Sequence, residues 1–188
     1  MNAKSGNQPF FSGTRDSSGV REPAPRGSGR AVRRDGSDAW PQGRAQRFRL
    51  GLMGALPVVL GYLPIGFAVG VLAAQTGLSA AETAFMSLLV YAGASQFIAL
   101  HLLGAGAAPL TIVMTTLLVN LRHLLMSAAL SPYLRGVRAS ALAFLSFTLT
   151  DEVFAVNSVE FQRRGRGDPW FMSGLHLLPY LTWQGSTV

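Results

Sequence analysis

The chain contains no cysteine, which excludes disulfides, thiolate metal sites and a cysteine nucleophile. Charge is scarce. Only 13% of residues are Asp, Glu, Lys or Arg, whereas an ordinary soluble domain carries about 25%. Neither G-x-S-x-G nor H-E-x-x-H occurs, and no metal-ligand spacing is present. A Ser–His pair, His123 with Ser127 or His101 with Ser95, is the remaining enzymatic reading, and it lacks an orienting third group. The expectation is therefore a protein that is not an enzyme, with no catalytic residue, metal or cofactor. Strict apolar–polar alternation is missing, so a membrane β-barrel is excluded. No apolar stretch follows Met1, so the start is not a secretory signal.

What charge there is lies unevenly. Residues 1–49 hold ten Lys/Arg and four Asp/Glu, and residues 50–188 hold six and five. The pI near 11 thus belongs to the N-terminal segment. No aromatic–basic interleaving or binding motif accompanies it, so it is not read as a nucleic-acid footprint. Residues 1–48 are rich in Gly, Ser, Pro and Arg and cannot bury enough apolar surface to offset the entropy of ordering. A disordered basic tail is expected there, followed by a transmembrane domain over 49–188.

From residue 50 the composition turns apolar. Four long segments stand out, at 50–74, 84–103, 109–131 and 139–159, and a fifth begins at Trp170. A helix needs about 20 mainly apolar residues to span a bilayer, and only helices satisfy their own backbone in lipid without closing a barrel. The expected fold is an all-α polytopic membrane protein with four full spans and part of a fifth. The fifth, 19 residues interrupted by Pro179, suggests a C-terminal truncation. Arginine retention in the cytoplasm puts the N-terminal tail and the loop with Arg163, Arg164 and Arg166 inside. Counting four spans then sends the loop with Arg135 and Arg138 outside, against the same rule.

Polar groups inside such spans are costly, about 2.5–3.5 kcal/mol for a central charge on insertion scales, so they pair or face a wet cavity. Arg122 falls near the middle of the third segment, and Asp151 and Glu152 near the middle of the fourth. The simplest arrangement pairs Arg122 with one of these carboxylates. At 100° per residue, Thr116, Asn120, His123 and Ser127 form one polar stripe, and Thr148 shares a face with Asp151 and Glu152. Ser87, Tyr91 and His101 share a face of the second segment, with Gln96 opposite. The blander readings are a structural ion pair and polar side chains gluing helices together. In the first segment GYLPIG sets Pro64 between Gly61 and Gly66, and Pro57 precedes it. The first span is expected to be broken by these Pro and Gly residues, baring backbone groups at membrane depth, a device of transporters; the blander reading is that Pro57 and Pro64 only kink the helix. Gly66-x-x-x-Gly70 offers a small-residue packing surface, and AGAS in the second segment a close-approach surface.

The runs PIGFAVG, GLSAAE, MSLLVYAGASQF, TTLLVNLRHLLMSAALSPYL and FTLTDEVFAV occur in this order over residues 50–188. Together they resemble the large subunit of the AzlC-type branched-chain amino acid permeases. The resemblance implies a multi-pass protein of a bacterial inner membrane with its N-terminus cytoplasmic. It also implies export of valine, leucine and isoleucine together with a small AzlD-type membrane subunit, and it agrees with missing C-terminal spans. The long basic tail is not part of the pattern. The residues expected to bind substrate are Arg122, Asp151, Glu152, Asn120, His123, Gln96, Ser95, Tyr91, Gly61, Pro64 and Gly66. A zwitterion's carboxylate wants a guanidinium or helix N-terminal N–H groups, and its ammonium wants Asp151 or Glu152. A desolvated carboxylate could also carry a proton in exchange. The alternative is an uncoupled channel or efflux valve lined by the same stripes.

Overall fold

The computed structural model describes residues 39–188, and every described element is helical. Helix α1 spans Arg44–Gln75, α2 Ala80–Leu89, α3 Gly93–Gly104, α4 Pro109–Asn120 and α5 Arg122–Leu130. A 3-10 turn, Ser131–Leu134, follows; α6 is Ala139–Phe147, α7 Asp151–Arg164 and α8 Pro169–Ser186. The tail expected over 1–48 lies mostly outside the described residues. Its last part is structured, because Trp40 is buried and α1 begins at Arg44.

Two rods are long and apolar enough to cross a membrane, α1 and the nearly continuous α4–α5 with its terminal turn. The α4–α5 rod presents Leu110, Val113, Leu117, Leu118, Leu124 and Leu125 outward, the surface expected of a helix whose solvent is lipid. Its one irregularity is at Leu121, where the Leu124 N–H bonds back three residues to the Leu121 carbonyl.

The break expected at GYLPIG is absent. Helix α1 runs unbroken for 32 residues with Pro57 and Pro64 inside it, both exposed on the outer face. Its buried residues, Gly51, Ala55, Val58, Tyr62, Gly66, Val69 and Ala73, recur every three or four positions. That stripe packs on α8, and the two helices run parallel. A Cβ at Gly51 would strike Phe171 O, one at Gly66 would strike Ser186, and one at Gly70 would approach Thr187 O to 2.7 Å. Small residues let these backbones meet, the usual source of helix association in lipid. Gly66 and Gly70 are therefore packing residues against α8.

The breaks fall in the second and fourth apolar segments instead. Helices α2 and α3 are separated by Val90–Ala92, and α6 and α7 by Thr148–Thr150. Each pair folds back on itself. Helix α3 returns to the end of α1, where a Cβ on Gly104 would lie 3.1 Å from Thr76 Cγ2. Helix α7 returns to the opposite end, where Gly167 N–H donates to Tyr133 O at 2.8 Å and the Trp40 indole N–H to Arg166 O at 3.0 Å. Segments 84–103 and 139–159 are thus two helical hairpins rather than straight spans. A three-residue hinge, Val90–Ala92 or Thr148–Thr150, is too short for hydropathy to distinguish from the flanking helices.

Two similar units result, one rod followed by one hairpin: α1 with α2–α3, and α4–α5 with α6–α7. The turn before each hairpin uses a glycine with positive φ, Gly77 at 86° and Gly136 at 83°, a conformation that costs a Cβ-bearing residue. The turn after each uses Gly106 or Gly165, then a proline at the start of the next helix, Pro109 or Pro169. The rods point in opposite directions, so the units are inverted relative to each other, an arrangement widespread among secondary transporters. The fold also corrects one placement: the loop with Arg135 and Arg138 lies at the same end as Arg44, Arg47 and Arg166, beside one shared cavity.

Candidate functional site

Both hairpin hinges and the Leu121 irregularity meet midway along the rods. Arg122 is 13 residues from Pro109 and 12 from Leu134, so roughly 20 Å from either end at 1.5 Å per residue. There a cavity of about 140 Å³ is lined by Tyr62 and Ile65 of α1, and by Tyr91, Ala92, Gly93, Ala94 and Phe97 of the first hairpin. Arg122 and His123 of α5, Thr150, Asp151 and Glu152 of the second hairpin, and Trp183 of α8 complete it. The volume equals the share of roughly five waters at ~30 Å³ each, enough for a small solute.

The two sides of this cavity differ in sign. Arg122 pairs with Asp151 at 2.7 Å, and its Nε is buried without a partner. Helix α3 starts beside it at Gly93 with no side-chain cap, so its first N–H groups face the cavity as an electropositive end. Opposite, Asp151 and Glu152 occupy the first turn of α7, where the helix dipole stabilises anions. The Tyr62 hydroxyl lies 2.7 Å from both Glu152 Oε2 and Thr150 Oγ1. With one proton it donates to the carboxylate and accepts from the threonine hydroxyl. The Tyr91 hydroxyl is buried with no hydrogen-bond partner, and its neighbour Tyr62 is already committed.

Of the residues expected to bind substrate, Arg122, Asp151, Glu152, His123 and Tyr91 line this cavity. Ser95 and Asn120 stand beside it, bonded to each other at 2.6 Å across α3 and α4. Asn120 and His123 also line an adjoining cavity of about 470 Å³ with Ser127 and Tyr91. The His123 Nδ1–H donates to the Asn120 carbonyl at 3.0 Å, which fixes its tautomer. Gln96 is buried in a network, donating to Ser87 Oγ at 2.9 Å and accepting from the Trp183 indole at 2.9 Å. It braces Trp183 and does not face the cavity. Gly61, Pro64 and Gly66 are elsewhere. A Cβ at Gly61 meets nothing within 4 Å, and Gly66 abuts Ser186.

Sequence reasoning missed Tyr62, Thr150, Trp183 and a buried clasp at His176. The Thr148 hydroxyl donates to Phe144 O at 3.0 Å and so accepts from His176 Nδ1–H at 2.9 Å. The other ring nitrogen then accepts from Asn157 Nδ2 at 3.0 Å. This ties α8 to both arms of the second hairpin. His176 and Asn157 are polar residues in apolar surroundings, a signal present in the sequence but not one that names partners.

The AzlC protein family model matches residues 57–188, and the chain belongs to that family. It is similar to the inner membrane protein YgaZ of Escherichia coli (strain K12), 35% identical over 144 residues, which is 75% of this chain and 58% of YgaZ. An uncharacterized membrane protein of Archaeoglobus fulgidus is 38% identical over 77% of this chain and 61% of its own length. The branched-chain amino acid transport protein AzlC of Bacillus subtilis (strain 168) is 31% identical over 72% of this chain and 53% of its own length. The chain thus spans between about half and three fifths of these relatives. No solved structure matches it.

Proposed function

We propose that the chain forms the substrate-binding core of an inner-membrane secondary transporter for branched-chain amino acids, working as an exporter with a small AzlD-type membrane subunit. The observation that carries this reading is the mid-depth cavity with an electropositive side, Arg122 and the bare start of α3, facing an electronegative side, Asp151 and Glu152. A zwitterionic amino acid presents the complementary pair. Its carboxylate fits Arg122 and the α3 N–H groups, its ammonium fits Glu152, and Ile65, Phe97 and Trp183 supply an apolar wall for its side chain. The name of the Bacillus subtilis relative supports the substrate class.

Substrate carboxylate competes with Asp151 for Arg122. Occupancy thereby loosens the Arg122–Asp151 ion pair that joins the second hairpin to the α4–α5 rod, and it couples binding to hairpin movement. Inverted units around a central site suit alternating access. In this reading α1, α4–α5 and α8 cross the bilayer and the hairpins enter it from opposite faces. Among the described residues, all Lys/Arg except Arg122 lie at the end where α1 starts. That distribution supports a cytoplasmic N-terminus.

The test is counterflow of radiolabelled valine in proteoliposomes holding the full chain and its small subunit. Arg122→Ala and Asp151→Asn should each abolish exchange. Exchange at the unmodified rate in both variants rejects the site. Flux without saturation or stimulated exchange would favour an uncoupled pore.

A further inference from the structure

The arginine end carries a second cavity, of about 690 Å³, between the starts of α1, α6 and α8 and the 3-10 turn. Arg44, Arg47, Arg135, Arg138 and Arg166 line it, against one carboxylate, Asp168. That carboxylate is already used. It pairs with Arg47 and caps α8 by accepting from Phe171 N–H at 2.9 Å. Among the described residues Arg135, Arg138 and Arg166 have no carboxylate partner, and Arg47 Nε is buried with no hydrogen bond at all. Three helix N-termini open here, and those of α1 and α6 lack a side-chain cap. Their dipoles add positive potential to five guanidinium groups.

Such a concentration of like charge is self-repulsive, and it is relieved by an anion with several oxygens. The position selects which anion. The cavity lies at the end of the membrane-crossing rods, where headgroups sit, and Trp170, 44% exposed with Arg44 5.6 Å from its ring centre, has the placing of an interfacial aromatic anchor. We infer that this cavity binds the phosphodiester headgroup of an anionic phospholipid, with Arg135 and Arg138 as its principal cations. Basic pockets between helices on the cytoplasmic side recognise such headgroups. Because Arg138 immediately precedes α6 and Arg166 lies in the loop before α8, the bound lipid bridges the base of the second hairpin to α8. The proposal does not depend on the substrate of the central cavity.

The test is lipid retention by the purified full chain in nanodiscs of phosphatidylcholine alone or with phosphatidylglycerol, read by native mass spectrometry and by the thermal unfolding midpoint. Phosphatidylglycerol should be retained and should raise the midpoint; phosphatidylcholine and inorganic phosphate at equal phosphorus should not. Each cation in contact with the headgroup contributes roughly fivefold to anionic-lipid affinity, so Arg135→Gln with Arg138→Gln should weaken retention about thirtyfold. Both side chains are exposed and, among the described residues, hold no ion-pair partner, so folding is not at stake. Arg49→Gln, outside the cavity, should change nothing, and Arg135→Lys should keep most of the binding. Equal retention of phosphatidylcholine, full retention by the double variant, or the entire shift from inorganic phosphate alone would each overturn the proposal.

Discussion

The two hairpins use one backbone device to opposite electrostatic ends. The first breaks at Val90–Ala92 and restarts with Gly93 and Ala94, so its second helix offers bare N–H groups to the cavity. The second breaks at Thr148–Thr150 and restarts with Asp151 and Glu152, which cover the same kind of helix end with carboxylates. A hinge by itself therefore sets no ligand charge. The first two residues after it decide whether the site attracts an anion or a cation, and Arg122 stands between the two.

This contrast can be broken on the side of the first hairpin. A Cβ at Gly93 would lie 2.8 Å from Trp183 Cη2. Gly93→Val should both cover the bare helix end and force Trp183 out of its bond to Gln96. Overpacking of this kind costs about 1–3 kcal/mol, measurable by chemical denaturation in detergent, and valine binding should fall below detection. Retained valine binding would mean that the α3 terminus is not part of the site.

A smaller effect belongs to the second hairpin. Tyr62→Phe removes the hydroxyl that bonds both Glu152 and Thr150 and should cost about 1 kcal/mol. The Glu152 carboxylate itself is untouched, so the affinity for a cationic group should change only severalfold while stability drops. A variant with full stability would show that Tyr62 does not hold the start of α7.

The smallest change is expected where the sequence pointed and the structure did not. Gly61→Ala meets open space and replaces a mid-helix glycine, which should add up to about 1 kcal/mol of helix stability. Valine binding should be unaltered. Loss of binding would return the site to GYLPIG and dissolve the contrast between the hairpins.

These outcomes also mark how far the residues could be read in advance. The apolar runs announced helices, and the cost of isolated charges in them paired Arg122 with Asp151 or Glu152 without choosing between the two; the partner is Asp151. The hinges were not legible. Proline drew attention to α1, where Pro57 and Pro64 sit on the exposed face of an unbroken helix, while the actual breaks carry no proline. They are stabilised from a distance, by Trp183 and Gln184 for the first hairpin and by His176 for the second. Such partners, 19 to 97 residues away in sequence, leave no local signature. Reading the first hairpin as a full span also misplaced the Arg135–Arg138 loop, because its fold-back shifts by one the span count on which topology relies.

The account rests on a cavity that accepts both ends of a zwitterion at once. Equilibrium binding of radiolabelled valine to the purified full chain, with unlabelled valine and valinamide as competitors, tests it most directly. Saturable binding is expected, displaced by valine but only weakly by valinamide, which lacks the carboxylate, and reduced about a hundredfold by Arg122→Ala, the scale of a lost charge-assisted hydrogen bond. Equal competition by valinamide, together with unchanged affinity in Arg122→Ala, would contradict it.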